Sequence, residues 1–201
     1  MHSLTRLPLL FLMIPSLFAT HFLLASSEQP KQGPGEIMAE MMRKGEELAT
    51  PNEQHALLSR MCGSWKTTSV VLGTEPQYGQ AEGKMILGNR FLEIEYTGTF
   101  LSLPLEGTML LGYDNYKHKF SAVFLDNLGT SIRTAEGTLD QSGTMISFYG
   151  TMDEWMTDEH DKAVLYTFRL VDENSFELEV HDLSIVPGDT KAIAVQFQRT
   201  D

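Results

Sequence analysis

The chain of 201 residues contains a single cysteine, Cys62. An internal disulfide is therefore excluded, and so is any metal site needing two thiolates. A lone cysteine in a chain with a sizeable apolar core reads as a small buried side chain. Basic residues are also scarce: 15 Lys and Arg stand against 27 Asp and Glu, for a formal charge of -12. A surface this acidic lacks the clustered cations that phosphate backbones require. Nucleic acid is thereby set aside as a partner, as is docking on anionic lipid. The catalytic signatures that can be read from spacing are missing too. There is no Gly-x-Ser-x-Gly elbow, no phosphate-cradling glycine loop, no Cys–His pairing and no helical His pair or His-x-His spacing for zinc. No residue pattern calls for a cofactor.

What is present begins with a leader. Arg6 precedes an apolar run from Leu7 to Leu24, followed by the small residues Ala25, Ser26 and Ser27. This is the order of a secretory signal, with cleavage after Ser27, and it predicts an exported protein in the periplasm or outside the cell. A permanent membrane anchor is the competing reading, and Pro8, Pro15 and His21 interrupt the run against it. The chain then divides into a signal over 1–27, a spacer with a Met-rich helix over 28–51, and a domain over 52–201. The helix is expected over Glu36–Leu48, packed on the domain. A second is expected over Asn52–Met61, where Ala56, Leu57, Leu58 and Met61 share near-helical spacing.

From Trp65 onward the periodicity changes to two. Strands are predicted at Trp65–Leu72, Gln80–Leu87, Arg90–Phe100, Leu105–Tyr113, Lys119–Asp126, Ser131–Leu139, Thr144–Met152, Ala163–Val171, Ser175–Ile185 and Lys191–Arg199. Val164, Tyr166, Phe168 and Leu170 alternate with Thr167 and Arg169, and Phe176, Leu178 and Val180 with Glu177, Glu179 and His181. Each strand thus has one dry face and one wet face. Connections such as Gly88-Asn89 and Asp172–Asn174 are short and hold no helix, so neighbours in sequence pair antiparallel. About ten such strands must curl or close. The fold class is mainly β: an up-and-down antiparallel barrel with one or two short N-terminal helices. A two-sheet sandwich is the runner-up.

Gly63-Ser64-Trp65 opens the first strand after a short helix, and Phe197-Gln198-Arg199 ends the last. This order resembles the calycins, the lipocalin and fatty-acid-binding group of barrels. The resemblance implies that Gly63, Trp65 and Arg199 are structural. The Arg would pack across the Trp by cation–π contact and close the barrel where first and last strands meet. Further segments, Met85-Ile86-Leu87-Gly88-Asn89-Arg90-Phe91-Leu92, Leu111-Gly112-Tyr113-Asp114-Asn115 and Asp126-Asn127-Leu128-Gly129-Thr130, resemble the DUF1579 family of bacterial proteins with no assigned function. That resemblance runs from about Glu53 to Arg199 and brings a fold expectation without an activity.

Candidate ligand-binding residues are few. Tyr113, Asp114 and Asn115, with Asp126, Asn127 and Thr130, form the densest polar cluster at strand ends. They read either as one rim of a cavity or as turn chemistry. Arg133 lies within a strand, where it would either enter the barrel and meet a carboxylate or face solvent. Glu93 and Glu95 share a wet face, and His160 sits in an acidic loop. The calycin resemblance implies one more candidate, since some heme-binding relatives use a histidine on a late strand and His181 is the nearest match. The leading functional expectation is an exported barrel that holds a small apolar ligand in its interior, without stable membrane insertion after signal cleavage. The alternatives are a structural or interaction barrel with a filled interior and an enzyme with its site at the barrel mouth.

Overall fold

The computed structural model describes residues 33–154, 157–184 and 191–200. The leader and its cleavage site lie outside the described residues. The chain divides into two units, residues 1–39 and residues 40–201. Helix α1 covers Pro34–Ala49 and α2 covers Glu53–Ser59. No residue of α1 is buried, in contrast to the expectation that it packs on the domain. Its turns are held locally by side-chain pairs, with Arg43 lying 2.7 Å from Glu40 and 3.3 Å from Glu47.

Ten strands follow: β1 Gly63–Val71, β2 Gln77–Ile86, β3 Phe91–Phe100, β4 Leu103–Asp114, β5 Lys119–Asp126, β6 Arg133–Leu139, β7 Met145–Glu154, β8 Glu159–Leu170, β9 Ser175–Asp182 and β10 Lys191–Arg199. Each pairs antiparallel with the next, and β1 pairs with β10, so the sheet closes into a barrel. The dry face predicted by alternation is the interior. β4 starts at Leu103, two residues before the expected Leu105. Pro104 argued for a later start because it has no N–H to give a ladder. Its carbonyl instead accepts the Asn127 side-chain amide N–H at 3.2 Å, and the Asn127 side-chain Oδ1 accepts from Glu106 N–H at 2.9 Å. The β3–β4 connection then shrinks to Leu101-Ser102, both at positive φ (49° and 73°).

The two ends of the barrel differ. At one end α2 acts as a plug, with Leu58 and Met61 fully buried. Asn52 caps α2, and its own backbone N–H donates to His55 Nδ1 at 3.1 Å, so a histidine completes a capping box usually finished by Glu or Gln. The Asn115 side chain, in the β4–β5 turn, donates to the Leu48 and Thr50 carbonyls at 2.8 and 2.9 Å and fixes the entry to α2. Beside this plug, Arg199 lies opposite Trp65 in the β1–β10 register, its guanidinium carbon 4.2 Å from the indole centroid. Trp65 in turn meets Phe176 edge-on at 4.8 Å and donates its indole N–H to the Met61 carbonyl at 3.1 Å. Gly63 has φ +118°, and an added Cβ would fall on the Arg199 guanidinium, so this position admits only glycine.

Two outcomes follow. Trp65→Ala should destabilise the barrel by about 3–5 kcal/mol in urea unfolding, the scale for emptying a buried aromatic site. His55 adds a pH dependence. Burial pushes its imidazole below the ordinary 6.5, against a backbone hydrogen bond with Tyr113 and with Arg90 nearby adding to the fall. A lowered folded-state value means stability that is complete above 6.5 and is lost as the pH drops below it. The urea midpoint should therefore decline on titration downward from neutrality, and His55→Gln should flatten that decline.

Candidate functional site

The plugged half of the barrel offers no room. Leu92, Leu111 and Phe148 are 0% exposed, which leaves not even a water-sized void beside them. Aromatic rings continue the filling: Phe176 stacks on Phe197 at 4.0 Å, and Phe148 meets Phe168 at 5.7 Å. The packing ends toward the other mouth, where Phe124 stacks on Tyr166 at 4.3 Å. Above this pair, the inward positions become half-buried: Tyr96, Met152, Ile193 and Val195 are only partly covered. The result is a shallow cup with an aromatic floor and mixed walls.

Charged residues enter the cup on the inward parity of their strands. Asp126 is in phase with Phe120, Ala122 and Phe124, and Arg133 with Ala135 and Gly137. The two form an ion pair, with side chains 12% and 28% exposed. Arg133 uses Nη2 for Asp126; among the described residues its Nε and Nη1 meet no acceptor. Burial works against the guanidinium charge, and the bond to Asp126 more than offsets it, so the Arg133 pKa lies above the ordinary arginine value. On β8 and β9, Lys162 pairs with Asp182 at 2.6 Å. The Asp182 carboxyl is raised by burial but lowered further by that bond and by the Ser184 N–H, for a net value below the ordinary one. Two phenols complete the array. Burial, with Asp126 close by, pushes Tyr96 up to about 12, and Tyr166 is also raised by burial. Gln77, on the inward parity of β2, has a buried Oε1 with no partner among the described residues.

The sequence candidates are thus partly united and partly separated. Asp126 and Arg133 meet. Asn127 is exposed and spends its side chain on β4. Tyr113 does not share a rim with Asp126. It faces Phe120 in the β4–β5 register, at the plugged end, with ring contacts to His55 at 5.9 Å and Phe120 at 4.9 Å. The reason is antiparallel pairing: Asp126 lies opposite Gly107, at the far end of β4. Gly63, Trp65 and Arg199 meet at the seam described above. Glu93 and Glu95 lie outside, around Lys84 at 2.9 and 3.8 Å. His181 turns outward to Glu179 at 3.1 Å. Tyr96 and Tyr166 lie on the dry faces that alternation predicts, whereas sequence reasoning missed Lys162 and Asp182. The signal was available, since both sit in phase with their strands' dry faces.

A groove of about 810 Å³ crosses the outer face of β1–β5, lined by Lys66, Glu82, Glu95 and Glu106 among others. It belongs to the wet face, so it is not the interior void a ligand-holding barrel was expected to show. Among the described residues, no group of three or more His, Cys, Asp or Glu side chains is placed to hold a metal ion. No described helix is long and apolar enough to cross a membrane.

Comparison with known proteins places this geometry. The model of a protein family of unknown function, DUF1579, matches residues 50–199. The chain belongs to the DUF1579 family. No curated protein matches it. Among solved structures, Rv2717c from M. tuberculosis has a TM-score of 0.54 at 15% identity, over 76% of this chain and 100% of that one. An S-type phycobiliprotein lyase from Guillardia theta has a TM-score of 0.49 at 11% identity, over 78% and 97%. A de novo designed fluorescence-activating barrel has 0.42 at 12% identity, over 71% and 96%. At such identities, the likeness to Rv2717c shows a shared barrel fold and nothing of activity.

The Asp126–Arg133 pair sets a measurable stability term. Asp126→Asn should cost about 1–2 kcal/mol in urea unfolding, less than the roughly 3–5 kcal/mol of a fully buried pair, because Arg133 keeps some solvent. Asp126→Asn combined with Arg133→Leu should recover much of that loss.

Proposed function

We propose that this DUF1579 protein is an exported binding protein that holds one small amphipathic molecule in the cup at the open mouth of its barrel. The leader of the sequence supports export. The packing supports the location, since the plugged half has a core of fully buried side chains and α2 covers its end, while the mouth keeps half-buried walls at Tyr96, Met152, Ile193 and Val195. The expected deep apolar cavity thus gives way to a shallow site with a polar rim.

One observation carries the reading. Arg133 is held at the mouth by Asp126, yet keeps Nε and Nη1 uncommitted beside the phenols of Tyr96 and Tyr166. A guanidinium already oriented by a carboxylate loses little freedom when a ligand acid group arrives. In the low dielectric beside two buried rings, a charge-assisted hydrogen bond is at its strongest. The ligand's apolar body would rest on the Phe124–Tyr166 floor, against Met152, Ile193 and Val195.

Native mass spectrometry of the protein purified without refolding tests this directly, and a co-purifying small acid is the expected result. Arg133→Gln should weaken its binding about tenfold or more, the worth of a charge-assisted bond of roughly 1.5–3 kcal/mol. A bare protein, with no thermal shift against a panel of small aliphatic and aromatic acids, would leave the filled structural barrel as the better reading. The tight packing of the plugged half already favours that alternative as the second choice.

A further inference from the structure

The rim of the mouth is not uniform. Three hairpin tips stand side by side along the arc from β1 to β6: the β1–β2, β3–β4 and β5–β6 connections. Exposed aliphatic side chains crown all three. Leu72 is 70% exposed, Leu101 49%, Leu103 56%, Leu128 41% and Ile132 69%. Charge is sparse there: Glu75, in the β1–β2 connection, is the one charged residue of the three connections. No Asp, Glu, Lys or Arg occurs in residues 67–74, 96–105 or 127–132, in a chain with 42 such residues (15 basic and 27 acidic). The neighbouring β7–β8 hairpin differs: its described residues include Asp153, Glu154, Asp158, Glu159 and Asp161.

Backbone geometry adds a second, independent observation. Leu72 and Leu101 hold φ angles of 48° and 49°, a left-handed conformation that suits glycine or asparagine and disfavours leucine. Leu72 gains little from the fold in return, being 70% exposed, and Leu101 leaves about half of its surface in solvent. Leu87, at the plugged end, is a third leucine of this kind, and what sets Leu72 and Leu101 apart is that they share one rim with Leu103, Leu128 and Ile132.

We infer that this apolar arc docks the open mouth onto the surface of an electrically neutral lipid bilayer. Charge complementarity selects the occupant. Zwitterionic headgroups carry no net charge, and the three connections of the arc carry a single charged residue, Glu75. An anionic membrane would repel a chain of formal charge -12, and the acidic β7–β8 hairpin most of all. Leucines at hairpin tips reach the boundary between headgroups and acyl chains, where apolar area is buried without crossing the bilayer. The arc runs directly into the cup, so a docked barrel would open toward the lipid. The inference is independent of what the cup holds.

The test uses the protein as its own cells process it, in sedimentation with phosphatidylcholine vesicles. Leu72→Asn combined with Leu101→Asn is the informative variant, because asparagine accepts positive φ and the barrel should melt no lower than the parent. Leu87→Asn is the matching control: Leu87 has φ 49° and is 70% exposed, but lies at the plugged end. The parent and Leu87→Asn should bind alike, and the double variant should lose about tenfold or more in partitioning. The docking reading is overturned if the parent stays in the supernatant, if the double variant binds like the parent, or if Leu87→Asn loses as much. It is also overturned if binding needs added phosphatidylglycerol and disappears in salt. A concentration-dependent dimer that the double variant abolishes would overturn it in favour of a second copy of the chain.

Discussion

The barrel depends on one contact, the stack of Arg199 on Trp65. A ten-stranded antiparallel sheet closes only if its last strand finds its first in the correct register, and a slip of one residue would turn every inward side chain outward. Arg199 lies opposite Trp65 in that register. Its donors are all directed at backbone carbonyls from separate parts of the chain: Cys62 at 2.9 Å, Glu173 at 3.1 Å and Arg60 at 3.3 Å. One side chain therefore joins the end of α2, the β8–β9 turn, β1 and β10. The guanidinium charge is met by carbonyl dipoles and the indole face, with no carboxylate required. Glycine at position 63 is what leaves the space.

That closure makes the molecule polar in its layout, with one end sealed and one end open. Burying an ion is costly unless it is paired and keeps some water. Four inward charges obey this rule at the open end, where Asp126 pairs with Arg133 and Lys162 with Asp182, while the inward Arg199 at the sealed end is met by backbone carbonyls and the indole face. At the sealed end a further inward polar group is His55, whose lowered pKa keeps it neutral, with Nδ1 an acceptor for the Asn52 N–H. The same physical cost thus separates the structural end of the barrel from the end available for binding.

The strand order, the closed barrel and the dry face could be read from the sequence because they rest on a strict period of two and on local turn residues. Trp65 and Arg199 were recognisable because their positions at the two chain ends of the sheet match a known pattern. Tyr113 was misplaced for the opposite reason. Tyr113 and Asp126 both sit at strand ends near Asn-containing turns, and residue type says nothing about which end of the barrel a turn occupies. Counting hairpins would have done so, because successive turns alternate between the two ends. Lys162 and Asp182 were overlooked although their parity placed them inside, since a charged residue at a strand end is usually read as solvated. The exposure of α1 was not legible at all: its methionines have the spacing of a buried stripe, and only tertiary structure shows what covers such a face.

The cup and its rim make opposite demands on the ligand, and together they restrict it more than either does alone. The two cations and two anions inside the cup cancel, and the β7–β8 hairpin adds acidic residues at the rim, so no field draws an anion from solution. An acid group gains affinity only by reaching the free donors of Arg133, at contact distance and beside buried rings. A molecule that arrives already partitioned in lipid needs no long-range steering, because its apolar body has placed it at the rim. In that case the lack of net positive charge at the mouth is an advantage. A strongly basic mouth would bind free phosphate and small anions from water and block the cup, whereas a paired Arg133 rewards only a ligand that also covers the Phe124–Tyr166 floor.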